Sequence, residues 1–293
     1  MTLVCFTSVK GAPGVTTTAC LVGATWPRDR RVLVAECDPA GGDLAARFAL
    51  SSVCGWSTYG SAVRRAGASV PVAPHVQQLP GGLDVLTGRR SSADGEAGPS
   101  MSALMAGVGS PDGPIDVLAD LGRLPPGTIA TGGWPDRSDE VVVVLRSDTA
   151  SVMQVAERAP EILGRWGERV GLVVIDSGRH EISKIEQFIG IAVVAELPFD
   201  RGAAAVAAGE RAGGRRLARS LLTPAASRLA GHLARLRPTR LADSPGLQEP
   251  SVRIDHPTDR PIFSRLTSHR PKSSPSERID GDDAERQRTE ALR

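Results

Sequence analysis

The chain has 293 residues, 41% of them hydrophobic, with a net charge of +2, enough for one large α/β domain and an appendage. No apolar run approaches the ~20 residues of a membrane span. The start, Met1-Thr2-Leu3-Val4, lacks the basic stretch that precedes the apolar part of a secretory signal. The four cysteines (Cys5, Cys20, Cys37, Cys54) show no CxxC spacing, so they read as reduced, mostly buried thiols of a cytoplasmic protein rather than a disulfide or zinc framework.

Residues 3–9 predict a short buried strand running at once into a glycine-bearing loop, and Thr16 to Trp26 predicts a helix. Val32 to Cys37 predicts a second strand, ending at Asp38-Pro39. Two weak strands fall within 75–88, one of them Leu83 to Leu86. Ile115 to Ala119 predicts a strand that delivers Asp120, and Glu140 to Leu145, with four consecutive valines, predicts another. Val170 to Ile175 and Ile191 to Leu197 complete the set. Helices are expected over 150–165, 180–188 and 202–236, and surface loops over 90–100 and 122–138. Short apolar runs alternating with helix-length segments predict an α/β fold, doubly wound, around a mostly parallel sheet buried on both faces.

Residues 201–240 carry nine arginines against a single acid, Glu210. Within them, Thr223 as N-cap and Pro224 in the first turn predict a last helix reaching Leu236. Leu229, Leu233 and Leu236 recur at helical spacing and predict packing on the sheet. Arg215, Arg216 and Arg219 would then face solvent and suit DNA phosphates, anionic lipid or an acidic partner. The expected domain is 1–240. Beyond it, six prolines, seven serines and mixed charge over 241–293 predict a disordered tail, read either as a solvated extension or as a carrier of a short motif at Ile262-Phe263.

Four segments carry chemistry. Lys10-Gly11-Ala12-Pro13-Gly14-Val15-Thr16-Thr17 lies between a strand and a helix. There, backbone N–H groups and the helix dipole can wrap phosphates, and Thr16 sits where a hydroxyl would bind magnesium. Glu36-Cys37-Asp38 places two carboxylates at i and i+2 on a strand, hence on one side. Capping of the following helix is the alternative use of such an acid and suits Asp43 better. Ile115 to Asp120 is an apolar strand ending in an acid, and Ala195 to Asp200 is another strand end.

Together these segments resemble the ParA/MinD family of P-loop ATPases over residues 2–237. The family's deviant Walker A motif is K-G-G-x-G-K-[ST]-[ST]. Lys10 matches its signature lysine, Gly14 its last glycine, and Thr16 and Thr17 its hydroxyl pair. Ala12 replaces a glycine, and Val15 replaces the lysine that reaches the β- and γ-phosphates. The resemblance implies ATP and Mg²⁺ as cofactors, Thr16, Glu36 and Asp120 at the metal, and Asp38 orienting the attacking water. It implies Lys10 acting across a homodimer, and base contacts from Pro198 and Asp200. Asp176 stands where an adenine-reading asparagine is usual, which weakens adenine and mildly permits guanine.

The lost lysine is similar to that of the TadZ/CpaE-like pilus-localisation group of actinobacteria. The end of the chain, Glu285 to Glu290, is too polar for a MinD-type membrane-targeting helix. Two readings follow. In one the chain is a dimeric spatial switch in positioning or partitioning of chromosome, plasmid, septum or pilus and secretion machinery, with weak or absent ATP hydrolysis. In the other it is a pseudo-ATPase scaffold that recruits a pilus, secretion or division partner. On either reading the protein is cytoplasmic and meets nucleoid or membrane through partners.

Overall fold

The structure, a computed structural model, describes residues 1–10, 13–66, 70–88, 101–109, 113–124, 133–176, 180–212 and 214–236. The expected loop at 90–100 and the tail at 241–293 lie outside them.

Eight strands form one sheet: β1 (Leu3–Ser8), β2 (Arg31–Glu36), β3 (Gln77–Gln78), β4 (Asp84–Leu86), β5 (Ile115–Arg123), β6 (Glu140–Arg146), β7 (Val170–Asp176) and β8 (Val193–Pro198). Their order is β3-β4-β2-β5-β1-β6-β7-β8. Every pairing is parallel except the short antiparallel edge between β3 and β4. Strand β1 lies between β5 and β6, so the chain winds outward from it in both directions.

Side-chain alternation divides the core as a two-sided sheet requires. Val4 and Phe6 of β1, with Val142 and Val144 of β6, pack beneath α1 (Val15–Ala24) and α9 (Leu222–Leu233). Leu3 and Cys5 point the other way, toward α3 (Trp56–Ala66) and α4 (Met101–Gly107). Val141, Val143 and Leu145 meet α5 (Thr149–Trp166) and α6 (Ile182–Ile189) on that same face. Each fully buried Val, Leu or Phe contributes about 1.5–3 kcal/mol, so the central strands β1, β5 and β6 hold because both of their faces are dry.

The expected strands are present. The reading of 44–107 was incomplete, because α2 (Leu44–Arg47), α3 and α4 were not foreseen. The helix expected over 202–236 is three helices: α7 (Arg201–Ala207), α8 (Gly214–Arg219) and α9. Gly209, at φ 76°, turns the chain after the first of them. Thr223 is not the N-cap of the last helix. It lies inside α9, and its hydroxyl donates to the Leu217 carbonyl at 2.7 Å. The N-cap is Leu221, without a side-chain cap, and Ser220 just before it accepts the Leu222 N–H on its Oγ at 3.1 Å. Strand β5 also runs past Asp120 to Arg123, three residues beyond the expected end.

A buried carboxylate ties the start of the chain to this frame. Asp116 of β5 accepts from the Thr2 N–H at 2.7 Å, the Trp26 indole at 2.9 Å and the Arg30 guanidinium at 2.6 Å. Arg30 reaches on to the carbonyl of Ala234 after α9. Strand β1 is thereby fixed at its base.

Candidate functional site

A cleft of about 840 Å³ opens at the carboxyl ends of the strands. In open α/β sheets that is where ligands bind. Its floor near β1 is the start of α1. Gly14 occupies the left-handed region at φ 103° as the residue before the helix, and its carbonyl accepts the Thr18 N–H at 2.8 Å. A side chain would strain the backbone there. Pro13, Gly14, Val15, Thr16 and Thr17 all line the cleft, whereas Gly11 and Ala12 lie outside the described residues.

The polar end of the cleft is built from β2 and β5. The Thr16 hydroxyl lies close enough to the buried Asp120 carboxylate to favour its charged form, and Asp120 accepts the Gly122 N–H at 3.0 Å. Burial, only partly offset by these two donors, pushes Asp120 up to about 7. Asp38 also lines the cleft, and its Oδ1 accepts the Ala40 N–H at 2.7 Å. Burial raises its carboxyl above the ordinary range. The Asp38 carboxylate lies against Gly122, at φ 61°, so closely that any side chain at 122 would collide with it. Among the described residues no group of three or more His, Cys, Asp or Glu surrounds a point that could hold a metal. A hydroxyl with one or two carboxylates nevertheless suits Mg²⁺, which binds hard oxygens and completes its shell with phosphates and water. Thr16 and Asp120, already in contact, fit that donor set.

Glu36 has a different use. Its Oε1 accepts the N–H groups of Asp43 and Leu44 at 2.9 and 3.0 Å, and its Oε2 accepts the Gly88 N–H at 2.7 Å. Burial raises its carboxyl, and these three N–H groups oppose the rise. Gly42 and Gly88 pack backbone to backbone around it, where a β-carbon on either would strike Glu36 or the other glycine. Glu36 is not among the residues that line the cleft. It takes the role expected of Asp43, capping α2 from the neighbouring strand, while the Asp43 carboxylate pairs with Arg47.

Val15 opens α1 and is 6% exposed, packed with the α1–α9 core even as it lines the cleft. An apolar side chain thus stands at the first position of α1, at the floor of the cleft. Lys10 is exposed and lines a second cavity of about 250 Å³ with Arg146, Asp148 and Ser151. Burial pushes Asp148 up, but the N–H and hydroxyl of Ser151, with the charges of Lys10 and Arg146, hold it below the ordinary range.

The far end of the cleft is apolar, lined by Ile175, Leu197, Pro198 and Phe199. Asp200 lines it as well, but its Oδ1 caps α7 through the Gly202 and Ala203 N–H groups at 3.0 and 2.9 Å. Its Oδ2 accepts the Ser220 hydroxyl at 2.7 Å. The Ala203 N–H and the Ser220 hydroxyl lower its carboxyl most. Asp176 ends β7 beside Pro198, and its side chain lies outside the described residues. Arg215, Arg216 and Arg219 of α8 are exposed, but Arg216 lays its guanidinium over Gly202, and its charge acts on Asp200. That arginine packs on α7 instead of projecting freely.

Two cleft residues, Arg146 and Phe199, were not in the expected site. The guanidinium of Arg146 lies 5.4 Å from the centroid of the Phe199 ring. The sequence signal was a cation ending the apolar run of β6, on the side where the other strand ends carry the site.

No family model and no curated protein sequence matches the chain. Its fold is similar to several solved structures. The ParA family ATPase from Chlorobium tepidum TLS is 16% identical, with 79% of this chain and 99% of that chain covered and a TM-score of 0.58. The septum site-determining protein MinD of Pyrococcus horikoshii OT3, complexed with Mg-ADP, is 18% identical over 80% of this chain and 97% of that chain, at 0.57. The MinC:MinD cell division protein complex of Aquifex aeolicus gives 14% identity over 85% and 99%, at 0.59. The fold is therefore that of the ParA and MinD P-loop ATPases.

Proposed function

We propose that this chain is a ParA/MinD-like nucleotide-binding protein acting as a dimeric spatial switch with weak or absent ATP hydrolysis. The process served is positioning or partitioning of a chromosome, plasmid, septum, or pilus and secretion machinery. The observation that carries the reading is the cleft itself. The Thr16–Asp120 pair and Asp38 stand at the start of α1, where phosphates would sit, while Val15 fills the lysine position from within the core.

In this reading the first-turn amides of α1 would bind the phosphates, and Thr16 and Asp120 would hold a magnesium ion. Glu36 is left out of that set, because both its oxygens hold backbone N–H groups. Magnesium, when bound, supplies positive charge to the phosphate oxygens. Asp38 accepts a hydrogen bond from water and orients it. Lys10 extends from the strand side of the loop toward a partner subunit. No cation at position 15 neutralises charge in the transition state, so turnover is slow. The Mg-ADP in the Pyrococcus horikoshii neighbour supports the cofactors, and the MinC bound in the Aquifex aeolicus neighbour supports a protein partner. Titration with MgATP, together with sedimentation of wild type and Lys10→Ala, tests the switch. Nucleotide should drive dimerisation in wild type and not in the variant.

A second reading, a scaffold without nucleotide turnover, is favoured by one observation: Val15 is integrated into the hydrophobic core. Under it, the oligomeric state ignores nucleotide.

A further inference from the structure

The cleft is divided chemically along its length. Threonine hydroxyls and carboxylates stand at the β2/β5 end, whereas Ile175, Leu197, Pro198 and Phe199 stand at the β7/β8 end. Within that apolar end are two flat side chains. Phe199 is 50% exposed although it is a large hydrophobic residue, and Arg146, also exposed, holds its guanidinium over the ring at 5.4 Å. The two come from the ends of β6 and β8, on either side of β7, so the sheet fixes their spacing. An aromatic ring and a guanidinium are the side-chain planes on which nucleobases stack.

We propose that Arg146 and Phe199 form a clamp for the base of a nucleotide, gripping its π-face by stacking. The proposal rests on the nucleotide reading above and adds the element that recognises the base. A base inserted between the two planes needs roughly 3.5 Å on each side, so the guanidinium retracts by about 2 Å from its present position. Arg146 is exposed and reaches solvent, so this movement disturbs no core packing. Stacking tolerates any base with a π-face, so the clamp supplies affinity for the base rather than discrimination of its edge. It also gives the nucleotide a hold remote from the phosphate loop, where Val15 supplies no charge. Arg146 additionally borders the cavity that contains Lys10 and Asp148, so base binding moves a residue shared with that second cavity.

The test is calorimetric titration of wild type, Arg146→Ala, Phe199→Ala and Phe199→Tyr with MgATP and, separately, with magnesium and inorganic triphosphate. Loss of a stacked base predicts MgATP binding weaker by on the order of tenfold in each alanine variant. Phe199→Tyr should restore it, and triphosphate binding should be the same in all four proteins. Melting temperatures should match, since both side chains are exposed. MgATP affinity unchanged in both alanine variants overturns the clamp and leaves the nucleotide reading standing. Equal losses of MgATP and triphosphate in Arg146→Ala make that residue a phosphate ligand and also overturn the clamp. If wild type binds neither ligand, the nucleotide reading itself fails, and the clamp with it.

Discussion

Removing the Glu36 carboxylate should destabilise the fold without any nucleotide present. Glu36→Ala strands three backbone donors, of which Leu44 N–H is buried, while those of Asp43 and Gly88 are partly buried. An orphaned buried donor costs about 1–3 kcal/mol, and a partly wetted one costs less. Relief of the burial penalty on the carboxylate, visible in its raised pKa, returns part of this. The net loss should be ~2–4 kcal/mol, which in a domain of this size lowers the melting temperature by roughly 5–15 °C. Glu36→Gln should lose less, ~1–2 kcal/mol, because its carbonyl still serves Asp43 and Leu44 while its amide meets the Gly88 N–H. Urea unfolding of the three proteins, with and without Mg²⁺ and ATP, measures this. The reasoning is refuted if both variants unfold like wild type without ligand and lose only the stabilisation that magnesium and nucleotide add. Glu36 would then be a metal ligand and not a cap.

Val15→Lys should raise nucleotide affinity by ~1–3 kcal/mol, since the first residue of α1 lines the cleft and its side chain leans toward the loop; unchanged affinity by calorimetry counts against the phosphate site. Asp116→Ala should cost ~3–5 kcal/mol, because it strands the Thr2 N–H, the Trp26 indole and the Arg30 charge together; a loss below ~1 kcal/mol in denaturant would show the network to be idle. Burial pushes Glu140 up to about 7 against the opposing charge of Arg169. Its folded pKa is raised, so stability falls as pH climbs from the unfolded value through about 7. Glu140→Gln should flatten that fall and gain on the order of 2 kcal/mol at pH 8, and parallel pH profiles for the two proteins would contradict it.

The central strands were legible because they are dry on both faces. A run such as Val141 to Val144 has no other comfortable place, and topology alone brings Asp38 to the cleft and the buried Asp120 to the strand end behind it. Helix α3 was missed although Trp56, Tyr59 and Val63 recur at helical spacing and pack on one core cluster, because that stripe is short and lies among polar and small residues. The use of Glu36 was hidden for a different reason. Its partners are backbone N–H groups at 43, 44 and 88, and which of them converge depends on how β4 ends beside β2. Asp200 was readable in principle: an aspartate directly before Arg-Gly-Ala-Ala-Ala is a helix N-cap by its chemistry. Arg216 depends on Gly202, fourteen positions earlier, whose missing side chain makes room for the guanidinium.

The most direct test of the account is a calorimetric titration of the full chain with ATP, run once with Mg²⁺ and once with EDTA. The account predicts saturable one-site binding that needs Mg²⁺, disappears in Asp120→Ala and is accompanied by little or no phosphate release over hours. Absence of binding in both wild type and Val15→Lys would contradict it, and so would rapid phosphate release from wild type that Asp38→Ala abolishes.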